Sequence, residues 1–222
     1  MKLHADLTKR ASVDSGSLAW IASPSGGVER RMLERDGEEV ARATTIVRFA
    51  PGSDFPAHAH EMGEEFLVLD GVFSDETGDF PKGMYVRNPP GSMHIPSTTQ
   101  GATILVKLRQ MSLDDDHVVR IDTTDTRAWQ ETRPDEATLP LFTAANETVE
   151  MVEWAEGMSI GPLRMSGGVE YFVLSGSFAD EDGIYTPGCW LRLPPGSTQK
   201  LTSKTGARVW RKSGHLTLSL AT

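Results

Sequence analysis

Cysteine is nearly absent from this chain: a single residue, Cys189, among 222. One thiol excludes an internal disulfide and a thiolate cage around a metal ion. Its place in the strand-like run Cys189-Trp190-Leu191 points to a buried, unreactive group. Positive charge is also scarce. Lysine and arginine number 22 against 31 acidic residues, a formal net charge of −9. Such a chain gains nothing from counterion release, so a nucleic-acid partner is not expected. The one basic cluster, Arg30, Arg31 and Arg35, is offset by Glu29, Glu34, Glu38 and Glu39 and reads as a solvated strand pair. No apolar run is long enough to span a bilayer, and the N-terminal MKLHADLTKR has no secretory apolar stretch. The expectation is a cytoplasmic protein with no membrane partner. Helical periodicity is missing as well: no apolar pattern of period 3.6 persists beyond two turns.

What the chain does have is punctuation and repetition. Its 21 glycines and 13 prolines are scattered, which suits short strands joined by tight turns. Shifted by 105 residues, the two halves align without a gap, and residues 52–102 against 157–207 share 18 identities in 51 positions. Glu65-Phe66-Leu67-Val68-Leu69 falls on Glu170-Tyr171-Phe172-Val173-Leu174, Asp75-Glu76 on Asp180-Glu181, and Pro89-Pro90-Gly91-Ser92 on Pro194-Pro195-Gly196-Ser197. Shared glycines, prolines and apolar positions report a shared backbone. Each half opens with Ala-Trp, at Ala19-Trp20 and Ala128-Trp129. The expected organisation is a first domain over residues 1–111, a linker over 112–127 and a second domain over 128–222.

Within each half the signals are β. Asp36-Gly37 between two strand-like runs predicts a hairpin turn. Thr44–Phe49 and Thr103–Leu108 read as strands, and Gly71 as a turn or bulge. The natural assembly is all-β: two tandem antiparallel barrels or jelly rolls.

His58 and His60 lie two apart, so on a strand both imidazoles face the same way, as ligands of one ion must. Glu64 follows four residues later. Further on, Pro89-Pro90-Gly91 forms a turn that can set His94 on the next strand. Glu64 and Glu65 compete for the carboxylate role and must point to opposite faces. In the second half His58, His60, Glu64 and His94 become Leu163, Met165, Val169 and Gln199, none a good ligand for such an ion. Glu64 disappears along with the histidines, whereas Glu65 persists as Glu170. His4, His117 and His215 fall outside the pattern and read as solvated or structural.

This arrangement resembles the cupin pattern G-x5-H-x-H-x3-E-x6-G followed by G-x5-P-x-G-x2-H, filled here by Gly52, His58, His60, Glu64, Gly71, Gly83, Pro89, Gly91 and His94. One departure is Thr98, where cupins often carry Asn. Residues 63–76 and 83–94 resemble more closely the cupin domain of ChrR-type anti-sigma factors. The resemblance implies a bicupin with one divalent ion on His58, His60, Glu64 and His94, and a second cupin that keeps the fold without the site. In those anti-sigma factors a separate H-x3-C-x2-C domain binds the sigma factor. The motif is missing here, so a sigma-factor partner does not carry over.

Two functions follow. Zn²⁺, the first expectation, would be satisfied by four such ligands, giving a regulatory or sensor module. Fe²⁺, Mn²⁺ or Ni²⁺ would leave positions open, as in cupin dioxygenases acting on a small diketone or hydroxyketone. In the second reading a small molecule is bound, with Arg48, Tyr85 and Arg87 as candidate contacts and Met62 and Met93 beside the histidines. Homodimerisation is left open.

Overall fold

The computed structural model describes residues 1–217. These are almost entirely strand, interrupted by three single-turn 3₁₀ segments, in keeping with the all-β expectation. None of its helices is long and apolar enough to cross a membrane. The chain forms two compact units. One comprises Met1–Ala5 and Leu18–Thr124. The other comprises Asp6–Ser17 and the described residues from Asp125 onward.

The main sheet of the first unit is antiparallel, in the order Lys2–Leu3, Val28–Gly37, Ala41–Phe49, Ala102–Leu108, Glu64–Asp75, Met84–Asn88, Val119–Asp122. A small ladder pairs His58–His60 with Ser92–His94. The far end of the long strand Glu64–Asp75 pairs instead with Gly78–Pro81 and with Ser97–Thr98. The second unit repeats the plan. Its seven-stranded sheet runs Gln130–Arg133, Glu136–Ala144, Glu147–Trp154, Ala207–Ser213, Val169–Gly176, Cys189–Leu193, Ala11–Asp14, beside a four-stranded sheet.

The outermost strands come from unexpected places in the sequence. Val119–Asp122, inside the stretch read as a linker, pairs with Met84–Asn88 of the first unit. Ala11–Asp14, near the N-terminus, pairs with Cys189–Leu193 of the second. The two are equivalent: Arg87 faces Val119 as Arg192, its repeat partner, faces Ala11. Each covers a row of backbone groups that would otherwise stand at an open edge.

The hairpin expected at Asp36-Gly37 forms, but its turn lies further on. Asp36 pairs with Arg42 and Gly37 with Ala41, leaving Glu38–Val40 as the loop. Gly37 ends its strand at φ 124°, and a Cβ there would lie 2.5 Å from the Val40 carbonyl oxygen. The glycine is needed for that close approach rather than for a two-residue turn.

Cross-strand register decides which side chains enter the interior, because directly opposed residues project to the same face. One row is Arg30, Val47, Ile104 and Val68. Another is Arg35, Ala43, Leu108, Glu64 and Asn88. Val47, Val68 and Ile104 belong to the apolar core with Phe66, Phe73 and Val106, so both rows face inward. The second unit has its own core, built on Trp154, Tyr171, Phe178 and Leu201. Cys189 packs in that core and is buried.

Gly71 sits at φ 72° beside a bulge, and a Cβ there would meet the Gly101 carbonyl oxygen at 2.0 Å. Gly52 has a similar φ of 71° with nothing within 4 Å of the added atom. Gly71→Ala should therefore cost about 3 kcal/mol or more and Gly52→Ala about 1 kcal/mol. Urea midpoints of the two variants measure this, and equal losses would refute the close-approach account.

Candidate metal centre

The ladder between His58–His60 and Ser92–His94 does what the sequence spacing demands. His94 lies directly opposite His58, and Ser92 opposite His60. Alternation puts His58 and His60 on one side of their strand, and the pairing brings His94 to the same side. The His60 and His94 Nε2 atoms are 3.0 Å apart, and those of His94 and His58 3.3 Å. Imidazole nitrogens about 2.0–2.1 Å from one ion at the tetrahedral angle stand roughly 3.3 Å apart. The three donor atoms lie within 4.8 Å of one another, and this cluster can hold a metal ion. His60 and His94 are buried, while His58 is exposed.

The far nitrogens help to aim the rings. His58 Nδ1 is 3.1 Å from the Pro56 carbonyl oxygen, which makes Nδ1 the donor and leaves the Nε2 lone pair free. His94 Nδ1 stands 3.5 Å from Asp75 Oδ2, with no hydrogen bond completed. A carboxylate behind a ligating histidine is a common orienting arrangement.

Glu64 opens the long strand Glu64–Asp75 and projects into the same space. Its Oε2 lies 3.4 Å from His60 Nε2 and 3.8 Å from His94 Nε2. Asn88 Nδ2 donates to it over 3.2 Å, and Asn88 Oδ1 in turn accepts from Arg120 over 2.7 Å. The strand Val119–Asp122 thus reaches the site through Asn88. Burial pushes the Glu64 carboxyl up from its ordinary value, against the pull of His94 and the Asn88 hydrogen bond. Burial also pushes His60 down to about 4, with His58 adding to the effect, and lowers His94 despite the pull of Glu64. His60 and His94 are therefore neutral near pH 7, the state in which imidazoles ligate. Three imidazole nitrogens and a buried carboxylate that meets no lysine or arginine at ion-pair distance among the described residues form a donor set that suits a divalent ion.

Glu65 points the other way, taking hydrogen bonds from Tyr85 Oη at 2.6 Å and Arg87 at 3.3 Å. This occupies two of the candidate substrate contacts. Arg87 also pairs with Asp115. The third, Arg48, is exposed, pairs with Glu29 at 2.6 Å and stacks on Trp20. None of the three lines the cavity beside the histidines. That cavity measures about 440 Å³ and is walled by Val28, Val47, Phe49, Phe73, Ile104 and Val106, with His58, His60, Glu64 and His94 at its lining. Arg30 and Arg35 also line it. They were expected as solvated strand residues, but Arg35 is buried and Arg30 half-buried. The signal was available in part: Arg30 shares its strand parity with Val28. Met62 is not among the lining residues, and Met93 is 66% exposed. His4 bonds to the Leu33 carbonyl, His117 to Asp115 and His215 to Glu170, all structural contacts.

The depressed His60 value has a consequence for the metal-free protein. Its folded value of about 4 lies below the ordinary 6.5, so the unfolded chain takes the proton first as pH falls. Stability is unaffected above pH 6.5 and drops between 6.5 and 4, by as much as ~3 kcal/mol from this residue. Urea midpoints across that window should fall less steeply for His60→Gln than for the unaltered protein stripped of metal. Identical slopes would contradict the assignment.

The family model of the ChrR cupin-like domain matches residues 8–112 and again residues 116–217. No curated protein gives a significant match. Among solved structures, the chain is similar to a candidate dioxygenase from Nostoc punctiforme PCC 73102 (TM-score 0.73, 14% identity, covering 96% of this chain and 86% of the other). It is also similar to a candidate glyoxylate-induced protein from Pseudomonas aeruginosa (0.72, 16%, 100% and 93%). A third is the salicylate 1,2-dioxygenase of Pseudoaminobacter salicylatoxidans, solved as adducts with gentisate (0.67, 13%, 94% and 81%). At these identities the likeness carries the fold alone. With the family model matched twice over almost its whole length, the chain belongs to the ChrR cupin-like domain family, as two cupin domains in tandem.

Proposed function

We propose that the chain is a metal-dependent cupin that binds a small organic molecule beside an ion held by His58, His60, Glu64 and His94, and that it acts as a dioxygenase on an enolisable ketone such as a diketone or hydroxyketone. The observation that carries this reading is the cavity. A metal serving only to stabilise the fold needs a closed donor shell, whereas here the histidines border an apolar space of about 440 Å³, a volume suited to a small ligand.

An iron, manganese or nickel ion in that place would supply open coordination positions and redox chemistry toward dioxygen. The protein's own contributions are separable. The three imidazoles hold the ion without adding charge. Glu64 balances it and is fixed by Asn88. The walls of Val47, Phe49, Phe73 and Ile104 exclude water and favour an apolar ligand body.

A second reading, a regulatory or sensor module holding Zn²⁺, is supported by the family match, since the matching domain is named for ChrR. The two readings separate on metal identity and turnover. Protein purified without added metal should contain iron, manganese or nickel and consume oxygen in the presence of a diketone or hydroxyketone. Tightly held zinc without oxygen uptake would favour the sensor and defeat the enzyme.

The site itself is tested by substitution. His58→Ala should empty it and Glu64→Gln should weaken metal retention at least tenfold. Gln199→Ala, at the equivalent place in the second domain, should leave metal content unchanged. Elemental analysis reads all three, and stoichiometric metal in His58→Ala would remove the basis of the proposal.

A further inference from the structure

Arg30 occupies a register position built for an apolar side chain. Its opposite neighbours across the sheet are Val47, Ile104 and Val68, all core residues. The side chain lines the same cavity as the histidines. It donates to the Ser23 hydroxyl. Among the described residues no carboxylate comes within ion-pair distance of it, although Glu39 acts on it from farther away. The other charged groups at this cavity are engaged or peripheral. Arg35 is turned to the Glu38 and Glu39 carbonyls, Arg109 pairs with Glu61 at 2.8 Å, Glu64 faces the histidines, and Glu39 is exposed. A half-buried guanidinium in an apolar wall is costly unless an anion meets it, and its planar fork suits a carboxylate.

The second domain supplies an internal comparison. The residues equivalent to Val47 and Ile104 are Val152 and Val209, which pair with each other, and Val152 faces Thr138. Arg35, opposite Ala43, has its counterpart in Thr143, opposite Thr148. The domain that lacks His58, His60, Glu64 and His94 therefore lacks both arginines too, while it keeps the core valines of the same row. This pairing of losses ties Arg30 to the metal-side cavity and not to the fold.

We infer that Arg30 binds the carboxylate of the substrate, so that the ligand class is a small monocarboxylic acid with an apolar, aromatic-sized body lying along the cavity toward the metal. The inference rests on the reading of this cavity as a ligand site next to an ion. Under it, the uncharged diketones fit the walls but leave Arg30 without its anion, and an enolisable keto acid satisfies both ends.

The test uses the full chain, once loaded with Zn²⁺ and once stripped by chelator. Calorimetric titrations compare benzoate, phenylacetate and phenylpyruvate with their uncharged counterparts benzamide, phenylacetamide and phenylacetone. At least one acid should bind ten-fold or more tightly than its counterpart. Arg30→Met should erase that preference, and Arg30→Lys should retain part of it. Metal content, measured separately, reports on the other reading. A protein that holds no metal yet prefers acids through Arg30 would overturn the metal centre and sustain the carboxylate site. One that holds metal but shows no preference for any acid, or keeps its preference in Arg30→Met, would overturn the carboxylate site alone.

Discussion

Glu64 is buried among imidazoles, with no lysine or arginine at ion-pair distance among the described residues. Everything else about the first domain can be ordered around that fact. An isolated carboxylate in such surroundings is costly and takes up a proton when nothing compensates it. His60 and His94 beside it are pushed toward neutrality by the same burial, so they offer lone pairs and not charge. A cation held between Glu64 and the imidazoles would resolve both conditions together. Its binding would be coupled to stability, because the donors are brought together by strand pairing that the unfolded chain lacks.

The strand pairing also explains why distant segments matter to the site. Glu64 shares a row with Leu108, Ala43 and Arg35 on one side and Asn88 on the other. Asn88 is held by Arg120, which sits on the outermost strand Val119–Asp122. The second domain preserves the shell of this arrangement and fills its centre. Asp180, equivalent to Asp75, accepts a hydrogen bond from Gln199 at 2.8 Å, and Gln199 accepts from Tyr171 at 3.1 Å. Gln199 stands where His94 would be, so the carboxylate that backs a histidine in one domain backs an amide in the other. Leu163 and Met165, in place of His58 and His60, pack against the apolar core. A polar cluster that satisfies itself has no call for an ion.

What was legible in the sequence follows from how local each feature is. His58 and His60 are two residues apart on one short strand, so their common face needs no knowledge of the fold. The choice of Glu64 over Glu65 came from the cupin spacing to Gly71 and agrees with the comparison of the halves, and the structure turns the two carboxylates to opposite faces. The strand Val119–Asp122 was not legible, because its role depends on a partner some thirty residues earlier in the chain. The turn after Gly37 was displaced for a related reason: Asp-Gly is a strong local signal, but the register with Ala41 and Arg42 overrides it. Arg30 was legible only in part: the four neighbouring acidic residues Glu29, Glu34, Glu38 and Glu39 make an exposed ion network plausible, its shared parity with Val28 hints at the interior, and the long-range pairing with Val47 settles that it faces inward.

The openness of the site bears on the choice between a structural ion and a working one. His58 is exposed, although its ring closes the cluster with His60 and His94. A shell that sealed an ion from water would bury every ligand. The buried pair, His60 and His94, faces Glu64 at the inner side, while the third imidazole stands toward solvent. An ion held there would be gripped from within and approachable from the cavity, the geometry expected where a ligand must reach the metal and leave again. Arg30 along the same cavity would then share an explanation with the histidines, since the second domain has neither.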